Sequence, residues 1–258
     1  MIRALYSAAT GMQAQQKTLE VVANNLANVN TTGFKRNRAE FQDLLYQTDR
    51  ASGAEQGNSK IAPSGIQIGH GSRLVSTPKL FTTGELTSTG DKFNVAITGD
   101  GFFEVTLPNG KGYTRDGALK IDATGNWVTS DGQQLGGGFQ AIPPGTTDVS
   151  IAADGTVTAK GAQSITFKVT LTRFANPAGL TALGNNLYTE TPASGAAETG
   201  NANENGFGGL AQYYLEMSNV KVVDEMVNMI VAQRAYEVNS KAVQSADEMM
   251  GLANGLRR

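Results

Sequence analysis

The sequence predicts a mixed α and β chain, with a long helix at each end and an antiparallel all-β domain between them. Apolar residues recur in sevenfold rows at both ends and alternate in twos through the middle. Asx-Gly pairs punctuate that middle stretch and favour tight turns. At 258 residues the chain is long enough for one or two domains with a real core, and its 31 glycines imply many turns.

The N-terminal rows are Ile2, Ala9, Gln16 and Ala23, and beside them Leu5, Met12, Leu19 and Leu26. Together they step by three and four, the a/d spacing of a coiled-coil seam, and predict a helix over 1–33. Gly33, after Asn30-Thr31-Thr32, is its C-terminal stop. The C-terminal row is Val222, Met229, Tyr236, Val243 and Met250, with Ala235, Ala242, Met249 and Leu256 running beside it. It predicts a helix from about 220 to 256, capped by Ser218 or Asn219, with Asp224 and Glu225 suited to the N-terminal dipole. Between the helices, Ile165, Phe167, Val169 and Leu171 alternate with Thr166, Lys168 and Thr170 as a half-buried strand. Residues 93–97, 102–107, 113–121 and 127–129 are further strands. The domains so read are 1–46 (N-terminal helix and start of a connector), 47–65 (extended connector), 66–193 (β domain), 194–215 (linker) and 216–258 (C-terminal helix). Both connectors are rich in Gly, Ser, Asn and Ala and read as flexible or extended.

Composition narrows the function. The net charge of −2 argues against nucleic acid or an anionic membrane as the main partner. No Cys rules out disulfides and thiolate sites, and His70 is the single histidine. No apolar run approaches a membrane span of ~18 residues. Polar residues at 13–17 interrupt any secretory h-region, so no signal peptide is expected. Gly99-Asp100-Gly101-Phe102-Phe103 lacks the Gly-Lys-Ser/Thr end of a phosphate loop and reads as a β-turn. Asp122-Ala123-Thr124-Gly125-Asn126 lacks the acidic spacing of a calcium loop and reads as a hairpin turn. Lys35, Arg36 and Arg38 read as a solvated basic face, with an intersubunit salt bridge as the minority reading. Trp127 and the strand Phe residues read as core. No catalytic residue, cofactor or metal is assigned. A hydrolase using Asp100 and Asp116 is the weakest competing idea, since both precede glycine in turns.

The terminal helices pose the larger question. About 33 residues of helix span roughly 50 Å, more than a small domain can cover. Their apolar rows therefore need each other or neighbouring molecules. An intramolecular helical hairpin holding a monomeric β binding module remains the alternative. Asn24, Asn25 and Asn28 share one helical face off the leucine seam.

Three separated stretches are similar to the flagellar rod and hook family. They are Ala23-Asn24-Asn25-Leu26-Ala27-Asn28-Val29-Asn30-Thr31-Thr32-Gly33-Phe34-Lys35, the interior Gly99–Phe103, Tyr113-Thr114-Arg115-Asp116-Gly117 and Asn176–Leu180, and Ser218-Asn219-Val220 with Gln233-Arg234-Ala235-Tyr236-Glu237-Val238-Asn239-Ser240-Lys241. Within that family the start Met1–Tyr6 and the segment Ala39–Leu44 resemble distal rod members; proximal rod and hook-type subunits are the nearest relatives. The resemblance implies a non-enzymatic, self-assembling subunit whose terminal helices pack as a coaxial, coiled-coil-like inner layer under β domains. It implies a homopolymer that crosses the periplasm in the basal body, meeting proximal rod subunits, hook subunits and the P and L rings. Export then runs through the flagellar type III apparatus, with no nucleic acid and no membrane insertion. Assembly contacts are expected at Leu5, Met12, Leu19, Leu26, Val222, Met229, Tyr236, Val243 and Met250, with Asn24, Asn25 and Asn28 hydrogen-bonding between subunits.

Overall fold

The computed structural model describes residues 2–53, 55–56, 60–61, 63–108, 110–161 and 164–255. One long α-helix stands near each end, and the strands between them pair antiparallel, the mixed α and β fold that the two periodicities predict. The chain divides into two units. Met1–Leu26, Asn37–Pro78 and Val222–Arg258 form a helical unit, and Ala27–Arg36 with Lys79–Lys221 form a β unit.

In the helical unit, α1 runs over Ile2–Ala27 and α2 over Val222–Gly255. Helix α1 ends well before Gly33, because Asn28–Thr32 fold into turns. There the Thr31 N–H donates to Asn28 O and its hydroxyl to Asn28 Oδ1, at 3.2 Å each. Short polar side chains that bond the local backbone compete with helix in this way. The expected caps of α2 are also spent elsewhere. Asn219 Oδ1 accepts the Arg36 N–H and its amide donates to Leu80 O, both at 2.8 Å, while Ser218 Oγ accepts the Val220 N–H ahead of the helix. The helices meet antiparallel. Asn25 reaches Glu225, and Gly11 lies so close to Asn239 that a Cβ would sit 2.9 Å from its amide nitrogen.

A long two-stranded ribbon completes the unit. Glu40–Asp43 pairs with Ser72–Ser76, and Tyr46–Arg50 with Ile66–Gly69. Part of the 47–65 connector is thus strand; residues 54, 57–59 and 62 lie outside the described residues. The ribbon rests on α1 through glycine. Ser7 Oγ donates to Gly69 O, and Gly71 (φ +106°) leaves a Cβ no room, 2.0 Å from Thr10 Oγ1. Gly71→Ala is therefore expected to destabilise the ribbon by about 1–3 kcal/mol. Limited proteolysis within 40–76 measures it, with faster cutting the expected result.

In the β unit, Val95, Ile97, Phe103, Trp127, Val157, Val169 and Leu171 are the centre of the main core. A second aromatic cluster joins Phe102, Tyr113, Phe174 and Tyr188 edge to face. The single strand expected over 165–171 is two, Ile165–Lys168 and Thr170–Arg173. Its alternation persists, but the ladder changes partner at Val169, from Thr156–Gly161 to Glu198–Asn201. The stretch 194–215, read as a linker, contains strands Glu198–Asn201 and Gly209–Gln212. Its glycines serve close packing here: a Cβ on Gly200 would lie 2.4 Å from the Phe207 ring. The Asp122 loop is a hairpin turn between Lys120–Ile121 and Trp127–Val128. Hydrogen bonds from the Thr124 hydroxyl and the Asn126 N–H hold its carboxyl below the usual carboxylate range.

Candidate assembly surface and its anchor

Helix α2 is apolar on two sides. One stripe, with Glu225, Ala232 and Ala246 buried and Met229, Asn239, Val243 and Met250 half-buried, includes the contacts to α1. The opposite stripe carries Val223 (72% exposed), Val227, Ile230 (57%), Val231, Val238 and Leu252 (70%). Exposed Arg234 interrupts this stripe, but large apolar side chains grouped on one exposed helix face mark a contact surface. Burying each large side chain is worth about 1.5–3 kcal/mol, a gain the single chain leaves unrealised on this face. A second apolar surface lies at the root of the ribbon, where a cavity of about 430 Å³ is lined by Arg3, Tyr6, Leu44, Leu45 and His70. Tyr6 meets His70 edge to face there.

The residues expected to carry assembly distribute unevenly. Leu5, Met12, Leu19 and Leu26 are half-buried along the α1 stripe that contains buried Ala8 and Val22. Met229, Val243 and Met250 are half-buried, whereas Val222 and Tyr236 are exposed. The amides behave differently from the intersubunit expectation. Asn25 is buried and works inside the chain: its Oδ1 accepts the Asn37 N–H and its Nδ2 donates to Asn37 O, both at 2.9 Å. The same amide reaches Glu225 Oε2 at 3.4 Å. Asn24 Oδ1 accepts from the Asn37 amide, and Asn28 holds the turn after α1. The physical reason is return of the chain: residues 27–36 leave for the β unit, and Asn25 grips the backbone where they come back.

What the sequence reading missed is the anchor within the β unit. Lys35, read as solvated, is fully buried. Its Nζ donates to Glu216 Oε1 at 2.5 Å and to Thr82 O at 2.8 Å. Arg115 Nε donates to Glu216 Oε2 at 3.2 Å, and Gly84 N–H to Oε1 at 2.8 Å. One buried carboxylate thus serves two buried cations. Burial lowers the Lys35 pKa from its ordinary 10.5, and the Arg115 charge pushes the same way against the pull of Glu216. The remaining Arg115 donors go to the carbonyls of Gly99 and Gly101. That glycine motif therefore presents acceptors to a guanidinium, the reverse of a phosphate loop, which presents N–H donors.

The surrounding bonds lock the Thr-Thr-Gly-Phe-Lys turn. Gly33 N–H donates to Glu216 O at 2.7 Å, Thr32 Oγ1 to Asp116 Oδ1 at 2.9 Å, and Asn186 Nδ2 to Thr32 O at 2.9 Å. Gly33 itself sits at φ +67° with a would-be Cβ 2.8 Å from the Asp116 nitrogen. Gly33→Ala is expected to cost the β unit about 1–3 kcal/mol in urea unfolding. Three stretches far apart in sequence meet here: the N-terminal motif, the Tyr-Thr-Arg-Asp-Gly motif and the segment entering α2. No periodicity marks them. The one available sign was a lysine directly behind a Gly-Phe turn, and an arginine inside an otherwise turn-forming motif.

The arrangement supports packing rather than chemistry. Asp116 is committed to Thr32 and to the Ala118 N–H as a turn acceptor, and burial pushes the Tyr113 and Tyr188 hydroxyls up to about 12. Among the described residues, no three His, Asp or Glu side chains gather as a metal site, and no helix is long and apolar enough to cross a membrane.

Comparison with known proteins agrees along the chain. The family model for flagella basal body rod proteins matches residues 5–35, that for the flagellar hook protein FlgE/F/G D1 domain matches 96–159, and that for the flagellar basal body rod FlgEFG protein C-terminal region matches 211–256. The flagellar basal-body rod protein FlgG of Borreliella burgdorferi is 46% identical over 270 residues, covering all of both chains. That of Agrobacterium fabrum is 46% identical over 259 residues, 98% of each chain, and that of Bacillus subtilis 39% over 265 residues, all of both.

Proposed function

Because the chain belongs to the FlgG family of flagellar basal-body rod proteins, we propose that copies of it polymerise through the open face of α2 into the distal part of that rod. It is a structural subunit of the flagellar basal body. The observation that carries polymerisation is the apolar outer stripe Val223, Val227, Ile230, Val231, Val238 and Leu252, left uncovered in one chain.

In this reading α1 and α2 line the inner, coaxial, coiled-coil-like layer of a tube and the β units its wall. The Leu5, Met12, Leu19, Leu26, Met229, Val243 and Met250 stripes pack the helix pair, and Val222 and Tyr236 join the contact between copies. The tube acts as drive shaft and export conduit and performs no catalysis. Proximal rod subunits and hook subunits continue it at either end, the P and L rings surround it across the periplasm, and the type III apparatus exports its subunits.

The internal contact between α1 and α2 gives the competing reading, a monomeric module on a helical stalk, its one support. Sedimentation of the purified chain at rising concentration separates the two. Polymer growth with increasing helix content by circular dichroism is expected; a chain that stays monomeric throughout ends the rod reading.

A further inference from the structure

The open side of α2 carries a reactive group that packing alone does not require. The chain has no cysteine and seven methionines, so thioethers are its only sulfur. Four of them, Met226, Met229, Met249 and Met250, stand on α2. They divide by face. Met229 and Met250 are half-buried on the stripe with Ala232 and Ala246, whereas Met226 and Met249 are 53% and 51% exposed on the other side. Met226 stands beside Val222, Val223 and Ile230, three or four residues away, and Met249 beside Leu252. Susceptibility of a thioether to oxidants follows its exposure.

We infer that Met226 and Met249 are oxidation sites through which peroxide controls assembly of the free subunit, an inference that rests on the rod reading above. The sulfur lone pair takes one oxygen from hydrogen peroxide. The O–O bond breaks, an S–O bond forms, the sulfur is oxidised by two electrons and the peroxide leaves as water. The product is a polar sulfoxide at the edge of the apolar stripe. Covering it with a neighbouring copy desolvates a strong acceptor: the residues three and four positions from Met226 are Val222, Val223, Met229 and Ile230, and Leu252 stands beside Met249. A subunit already incorporated has this face covered and its thioethers out of reach. Peroxide therefore gates the free subunit and spares the finished polymer. A sulfoxide reductase fed by a thiol reverses the block by returning the two electrons.

The test treats the purified full chain with hydrogen peroxide, maps sulfoxides by peptide mass spectrometry and measures the critical concentration for polymer by sedimentation. Met226 and Met249 are expected to oxidise ahead of Met229 and Met250. The critical concentration is expected to rise about tenfold or more and to fall again after treatment with methionine sulfoxide reductase. In M226L/M249L, whatever its own baseline, the ratio of treated to untreated critical concentration is expected to stay near one. Complete sulfoxide at both sites with an unchanged critical concentration overturns the inference, as does an equal loss in M226L/M249L. Untreated protein that never polymerises overturns the rod reading together with it, and so identifies which of the two failed.

Discussion

Glu216→Gln is expected to destabilise the β unit by on the order of 3–5 kcal/mol, whereas Lys35→Met changes it by about 1 kcal/mol or less. The asymmetry follows from the count of charges. Glu216 is the single buried carboxylate between Lys35 and Arg115, so neutralising it strands two buried cations. Removing Lys35 instead leaves Arg115 and Glu216 as a balanced pair, still supported by the Gly84 N–H. Thr82 O, which loses the Lys35 donor, keeps the Asn219 amide at 3.1 Å. Urea unfolding of both variants, followed by tryptophan fluorescence of the buried Trp127, reads the difference. A Lys35→Met loss as large as that of Glu216→Gln would refute this account of the anchor.

The same site sets a pH dependence whose direction follows from the lowered Lys35 value. Below that value the lysine is charged in both states, and its burial opposes folding by a constant amount. Between it and the ordinary 10.5, the unfolded chain holds a proton that the folded chain has released, so stability rises with pH across that window. Lys35→Met should abolish that slope. A variant that follows the parent curve unchanged through the window contradicts the assignment.

Val227→Asp with Ile230→Asp should raise the critical concentration for polymer by at least about a hundredfold while leaving the single chain folded. Both positions are exposed, so their effect on the isolated molecule stays within about 0.5 kcal/mol each, the range of ordinary surface substitutions. Covering them with another copy would desolvate two unpaired carboxylates, a penalty that far exceeds the apolar gain lost. Circular dichroism and urea unfolding establish the intact subunit, and sedimentation reads the assembly. Normal polymer from this variant would remove the α2 face from the contact.

The sequence was most legible where structure depends on near neighbours. Leu5, Met12, Leu19 and Leu26 declared α1, and the Asx-Gly pairs declared turns, because helical rows and turn chemistry involve residues a few positions apart. Legibility failed where one side chain had two plausible uses. Asn25 and Lys35 are polar residues in a motif, and polarity alone suggested a solvated or intersubunit role. Burial of both follows from partners that no local pattern reveals: Glu225 lies 200 residues from Asn25, and Glu216 lies 181 residues from Lys35. The same holds for 194–215, whose glycines and asparagines suggested slack. Strand pairing uses backbone groups that every residue carries, so composition could not announce it.

By itself the sequence determined the helix at each end and the strand-and-turn character of the middle, since apolar periodicity and turn residues act over one or two turns of chain. The tertiary structure alone decided which side of α2 meets α1 and which stays bare, and that Lys35 and Arg115 share a lone buried glutamate. Those outcomes depend on which distant groups close up in space, where desolvation and pairing balance only once the whole chain has folded.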